Sequence, residues 1–230
     1  MKKYIMLFLF IATATQSFAQ LSVGAITNFP FFNGSRLRDN SKINGSSTDD
    51  VGGLYFLNSG LFAHYSLQKH LGLQAEIRYR NEGFTYQSEQ DTEAFGFNYI
   101  EIPALLLGEL GKEKIHFFLQ AGPSLKCLTS ANRYGRSTEG GNHTRSSIKS
   151  QVNDFVLTAN VGTGIRCDMK YLILLADLRF GFDITQIADS KNIVDSKSLE
   201  TWRFDDVKLF QMALSIGVAY RIGWAKGSKL

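Results

Sequence analysis

Charged residues recur at every second position in one stretch, Glu76, Arg78, Arg80 and Glu82, and again at Asp177 and Arg179 with Asp183 four residues on. Side chains two apart lie on the same face of a strand. Such spacing lines opposite charges along one surface, where they neutralise each other as ion pairs. Glu101, set between Ile100 and Ile102, and the cations Lys126, Arg166 and Arg221 hold the same parity within other apolar runs. The face so defined carries six cations (Arg78, Arg80, Lys126, Arg166, Arg179, Arg221) against five carboxylates (Glu76, Glu82, Glu101, Asp177, Asp183). That near-neutrality suits an interior closed by its own ion pairs better than a selective pore.

Residue types for other chemistry are present but scattered. There is no G-x-S-x-G and no H-E-x-x-H. Gly162 and Gly164 begin a dinucleotide-like fingerprint, but Cys167 takes the place of the third glycine and the segment alternates like a strand. Residues 39–50, DNSKINGSSTDD, put Ile43 where a calcium loop needs a ligand. His64 and His116 share the charged parity, whereas His70 lies in a turn and His143 in a long polar segment. No nucleophile and base meet on the apolar face. The expectation is a non-enzymatic protein without cofactor or metal.

The elements that must position these charges are strands. Eight runs alternate with period two: about residues 21–29, 54–67, 71–82, 99–106, 115–126, 155–166, 172–183 and 210–222. Ten or so residues, tilted by about 45°, cross the hydrocarbon layer of a membrane. Three connections are short (QKH, GELGKEK and DMK), and they alternate with longer polar ones, at about Phe31–Gly53, Gln87–Ala94, Thr129–Asp154 and Gln186–Val207. An even number of strands with short turns on one side and long loops on the other is the habit of outer-membrane barrels. The predicted fold is all-β: an antiparallel up-and-down transmembrane barrel of eight strands. It has a polar lumen, short periplasmic turns, long external loops and both termini periplasmic.

Alternation does not say which face points inward, since a soluble ligand-carrying barrel shows the same pattern inside out. Volume decides. Eight strands enclose room only for packed side chains or one small ligand, so the continuous bulky apolar face must point outward to lipid. The other face mixes charges with small residues such as Gly24, Gly60, Gly162, Gly164 and Gly217. Aromatic residues on the outward parity gather near the long-loop ends (Phe29, Tyr55, Phe155, Phe182, Phe210) and the short-turn ends (Tyr65, Phe117, Tyr220, Trp224). Two girdles at the interfaces are expected of a lipid-embedded barrel.

The first residues indicate export. Lys2 and Lys3 precede an apolar stretch to about Ala14, and the small residues Ser17 and Ala19 hold the cleavage positions before Gln20. This is the pattern of a cleaved signal peptide over 1–19, leaving a barrel domain over 20–230. Removing both lysines leaves 23 basic against 21 acidic residues, a net of +2, which gives no reason to expect nucleic acid as a partner.

The strings YIEIPALLL (99–107), QAGPSL (120–125), GLQAEIRYRNEGF (72–84) and NVGTGIR (160–166) resemble the PorT-like outer-membrane β-barrel family of Gram-negative bacteria. The resemblance covers essentially the whole mature chain. It implies an eight-stranded barrel in the outer membrane and leaves the role open, one branch being linked to protein secretion and gliding.

The functional expectation is therefore a structural, interaction or secretion-accessory role through the external loops. The alternatives are a narrow porin-like channel or a lipid-modifying enzyme. Expected partners are outer-membrane lipid, lipopolysaccharide and other envelope proteins. Arg133, Arg136, Arg145 and Lys149 in the third long loop could contact anions, or form an ordinary solvated loop. Two geometric expectations complete the reading. Glu101 should lie opposite Arg80, with Arg78 one diagonal step away. Cys127 and Cys167 should be too far apart to bridge.

Overall fold

The computed structural model describes residues 21–36, 58–87, 91–112, 114–137, 143–187 and 208–222, nearly all of them in antiparallel strands. The strands are β1 (Leu21–Arg36), β2 (Asn58–Gln68), β3 (Leu71–Gln87), β4 (Asp91–Lys112), β5 (Ile115–Ser137), β6 (His143–Ser147), β7 (Phe155–Asp168), β8 (Leu172–Asp183) and β9 (Lys208–Ile222). One 3-10 turn, Lys149–Gln151, follows β6. Neighbouring strands pair in chain order, except that β5 pairs with β7, and β9 returns to β1 to close a ring of eight. The short β6 stands outside that ring, paired with the far end of β5.

Paired residues followed round the ring from Leu21 lead back to β1 at Phe32. Phe31 is the extra residue of a bulge between Pro30 and Phe32. A stagger of about ten residues over eight strands tilts them by about 40° from the barrel axis.

Adjacent residues on one strand show which face is which. Leu105 is 1 % exposed and Leu106 is 50 % exposed. Leu73, Ile77, Ile102, Leu119, Val161, Leu174 and Ile216 all face out like Leu106. In a soluble protein such a surface would aggregate, and in a bilayer it is the solvated one. Phe29, Phe117, Phe155, Phe182 and Tyr220 belong to this exterior. Tyr55 and Trp224 lie outside the described residues, as do positions 1–19, expected to be a signal peptide, and the stretch 39–50.

Parts of two expected loops are strand instead. The β3–β4 pairing runs as far as Gln87↔Thr92, so 91–94 belong to β4. β5 continues to Ser137, and β6 folds back on it from Arg136↔His143 to Asn132↔Ser147. With β4 at 22 residues and β5 at 23, this side of the barrel rises well beyond the ten or so residues that lipid requires. Backbone pairing sustains the extension even where the residues carry no apolar alternation.

Candidate functional site

The lumen is filled in layers. At its middle lies a belt of alternating charge supplied by β3, β4, β5 and β8. Glu101 accepts from Arg78 Nη2 at 2.9 Å, from Arg80 Nη1 at 3.0 Å and from Ser124 Oγ at 2.7 Å. Arg80 Nε also donates to Glu82 at 2.9 Å. The Lys126 ammonium bridges Glu82 and Asp183, at 2.6 Å from each. In the other direction Arg78 lies 3.4 Å from Glu76, and Arg179 holds Glu76 through two bonds of 2.9 and 3.0 Å. Arg179 Nη2 reaches Asp177 at 3.2 Å. Neutral donors take up remaining lone pairs: Gln74 on Glu76, Ser215 on Asp177 and Thr158 on Asp183.

Burial makes this arrangement consequential. Glu101 and Lys126 are both 0 % exposed. Buried charges persist only when paired and hydrogen-bonded, and the period-two spacing lets one strand supply both signs. Glycines on facing strands make the space. A Cβ on Gly60 would lie 2.9 Å from Arg78 Cγ, and one on Gly162 would lie 3.0 Å from Gln120 Nε2.

The register corrects the expected partner of Glu101. Arg78 lies directly opposite, Arg80 pairs with Tyr99, and Arg80 reaches Glu101 diagonally. The difference is a two-residue slip of β3 against β4, with Gln87 paired to Thr92. Beside this contact the β3–β4 ladder has no pairs at Glu76 and Ile77, where Pro103 of β4 lacks an N–H to offer.

Two of the cations assigned to this network belong elsewhere. Arg166 and Arg221 lie toward the short-turn end, where Asp168 accepts from Arg166 Nε at 2.9 Å and from Arg221 Nη2 at 2.6 Å. Arg166 Nη1 also contacts Glu109 Oε1 at 2.5 Å and His64 Nε2 at 3.1 Å. The sequence reading missed Glu109 and Asp168, although Glu109 continues the parity of Glu101. Both had been assigned to short turns that the structure shows to be strand ends.

The lumen is also less polar than expected. Phe62, Leu105, Leu107, Phe118, Ile173 and Leu175 fill it between the belt and the Arg166 cluster. A cavity of about 10 Å³ remains there beside His64 and Phe118, enough for no more than about one water. Toward the other end the belt is capped by Phe95, Phe97, Tyr99, Leu128, Ile148, Val156, Ile187 and Leu209. The Lys126 ammonium lies 5.1 Å from the centre of the Tyr99 ring, so the cap touches the belt directly.

The four residues expected in a loop sit on the extended wall. A bulge interrupts the β4–β5 register, which runs Tyr99↔Leu128 and then Asn98↔Ser130 and leaves Thr129 over. Beyond it the parity of β5 reverses: Ala131 joins the inner cap and Tyr134 is exposed. Arg145 of β6 pairs with Tyr134 and lays its guanidinium 5.6 Å from that ring. Lys149 Nζ donates to Thr129 O at 3.2 Å. Arg133 pairs with Phe95 and Ser146 on the inward parity, away from Arg145. Arg136 pairs with His143, and its side chain lies outside the described residues.

Cys127 and Cys167 are both free. Cys167 pairs with Ile115 on the strand that carries Cys127 twelve residues further along, a separation of about 40 Å. Among the described residues, no cluster of three or more His, Cys, Asp or Glu side chains is placed to hold a metal.

A closed eight-stranded ring with an apolar exterior and a packed, ion-paired lumen defines a transmembrane β-barrel of the outer-membrane kind. The chain belongs to the outer membrane protein beta-barrel domain family, which it matches over residues 16–189, more than half its length. No curated protein sequence matches it. Among solved structures it is similar to Neisserial surface protein A, with 14% identity, 89% of this chain and 99% of that one covered, and a TM-score of 0.46. It is also similar to the N-terminal β-barrel domain of Pseudomonas aeruginosa OprF, at 10% identity, with 88% and 97% covered and a TM-score of 0.42. The attachment invasion locus protein Ail of Yersinia pestis gives 12% identity, 89% and 97% coverage, and a TM-score of 0.39.

Proposed function

We propose that this barrel is an outer-membrane platform that works through the surface at its long-connection end, in a structural, interaction or secretion-accessory role, and not as a pore or an enzyme. One observation carries the reading. Belt, cap and apolar layer leave no continuous polar path through the described lumen, so the cross-section that a channel needs is occupied by side chains. What remains available to partners is the wall of β3, β4, β5 and β6 that rises beyond the lipid.

In this reading residues 1–19 are a cleaved export signal, the termini are periplasmic, and the extended wall faces outward. The partners are lipopolysaccharide and other envelope proteins. The strings YIEIPALLL and GLQAEIRYRNEGF support a PorT-like relationship, and with it an accessory place beside a secretion apparatus.

Photo-cross-linking in intact cells tests this. A cross-linker at Ser147, exposed on the extended wall, is expected to form discrete adducts with envelope components. One at Met169, exposed in a short turn, serves as the comparison. Equal adducts from both sites, or none from Ser147, would count against an external working surface. Lipid A mass spectra from cells with and without the protein are expected to match, and a new lipid A species would restore the enzyme reading.

A further inference from the structure

The exterior of the wall changes character at a definite level. Tyr79, Ile100, Cys127 and Phe155 form one outward row across β3, β4, β5 and β7. The next outward row is Asn81, Asn98 and Ser130, joined side chain to side chain: Asn81 Nδ2 donates to Asn98, and Asn98 Nδ2 donates to Ser130 Oγ at 2.7 Å. Between this row and Lys112 at the short-turn end of β4, the outward positions of the described strands carry no charge. A polar ladder directly above an aromatic and apolar row marks where hydrocarbon ends.

Two cations stand just above that boundary. Lys149 holds its ammonium against the Thr129 carbonyl, next to Ser130. Arg145 lies two outward rows higher, four residues along β5 from Ser130, which at about 40° of tilt is about 10 Å above the boundary. The headgroup layer begins at this boundary and is ~5–8 Å deep on each side of a bilayer, so Lys149 stands at its base and Arg145 just beyond its outer edge. Neither cation has a carboxylate partner among the described residues. Arg145 rests on the Tyr134 ring and donates Nε to Asn132 at 3.4 Å, which leaves its terminal nitrogens for a ligand. Asp154, an exposed carboxylate of this region, forms no ion pair with either. The Thr129 bulge sets the arrangement, because it turns Tyr134 outward and so brings Arg145 to the lipid side.

We infer that Arg145 and Lys149 form a phosphate-binding site for the headgroup of outer-leaflet lipopolysaccharide, with acyl chains lying along the apolar rows below. A guanidinium held flat on a ring presents its donors in the planar geometry that phosphate accepts. A headgroup anchored at the boundary brings its phosphates between the two cations. The inference rests on the outward orientation proposed above.

The test uses the full barrel in detergent, titrated with bisphosphorylated lipid A and with dephosphorylated lipid A, and read by native mass spectrometry. The unmodified protein is expected to favour the phosphorylated form, and the R145A/K149A variant to lose about thirtyfold of that affinity. The charge-conserving R145K/K149R variant keeps both charges but loses the stacked planar donor, and should bind the phosphorylated form more tightly than R145A/K149A and less tightly than the unmodified barrel. Equal affinity of the R145A/K149A variant and the unmodified barrel would overturn the site. Competition by inorganic phosphate as effective as that by lipid A would overturn the lipid assignment. Orientation is read separately, by antibody access in intact cells to an epitope inserted between Ser137 and His143. A hidden epitope defeats the orientation, whereas an accessible epitope without phosphate preference defeats the site alone.

Discussion

Inside the barrel every belt cation touches two carboxylates: Arg78 meets Glu76 and Glu101, Arg80 meets Glu82 and Glu101, Lys126 meets Glu82 and Asp183, and Arg179 meets Glu76 and Asp177. On the outer wall Arg145 and Lys149 meet an aromatic ring, an amide and a carbonyl, and no carboxylate. The contrast separates two uses of charge in one sheet. Buried cations are committed to the fold, because an unpaired charge in that environment is too costly to keep. The outer cations have no carboxylate partner among the described residues, so their charge remains available to something that is not part of the chain.

Substitution should expose this difference, beginning with the belt. Glu101→Ala removes the acceptor shared by Arg78 and Arg80 and is expected to cost about 3–5 kcal/mol in denaturant unfolding from lipid vesicles. A cost below about 1 kcal/mol would mean that water already reaches the belt. Next comes the exterior. Leu106→Arg, near the middle of the outward face of β4, is expected to cost about 2–4 kcal/mol in the same assay. A neutral result there would place that face away from lipid.

Smaller effects should follow at the partly exposed end cluster. Asp168→Asn weakens two charge-assisted bonds and is expected to cost about 1–3 kcal/mol. On the outer wall, R145A/K149A should change stability by no more than about 0.5 kcal/mol while altering lipid binding. A stability loss comparable to that of Glu101→Ala would erase the distinction between the two regions.

The faces of the sheet were legible in the sequence because alternation assigns each residue of a strand to one side, and volume then says which side is inward. Belt membership followed for Glu76, Arg78, Arg80, Glu82, Glu101, Lys126, Asp177, Arg179 and Asp183. What parity does not contain is register. Sliding β3 against β4 by two residues leaves every side chain on its face, so Arg78 and Arg80 could not be ranked as partners of Glu101. The extension of β5 was hidden for a related reason. SANRYGRS, 130–137, has polar residues at both parities, and a bulge there reverses the alternation without leaving a mark in composition. Glu109 and Asp168 were lost to turns drawn too long, by five residues at the end of β4 and by one at the end of β7.

The apolar layers of the lumen were the other surprise. Phe62, Phe118, Ile173 and Leu175 interrupt otherwise polar or small inward positions, and nothing short of the three-dimensional stagger shows that they meet. Together with the cap they turn a charged lumen into a packed core.

Planar-bilayer recording tests that core most directly. The purified barrel, shown to be folded by its faster migration before boiling than after, is added to a bilayer under applied voltage. With the lumen closed by the belt and its apolar layers, insertion should leave the conductance at the baseline leak. Reproducible unitary steps from the folded, unmodified protein would mean that ions pass where Glu101, Arg78 and Arg80 are packed together, and would contradict the account.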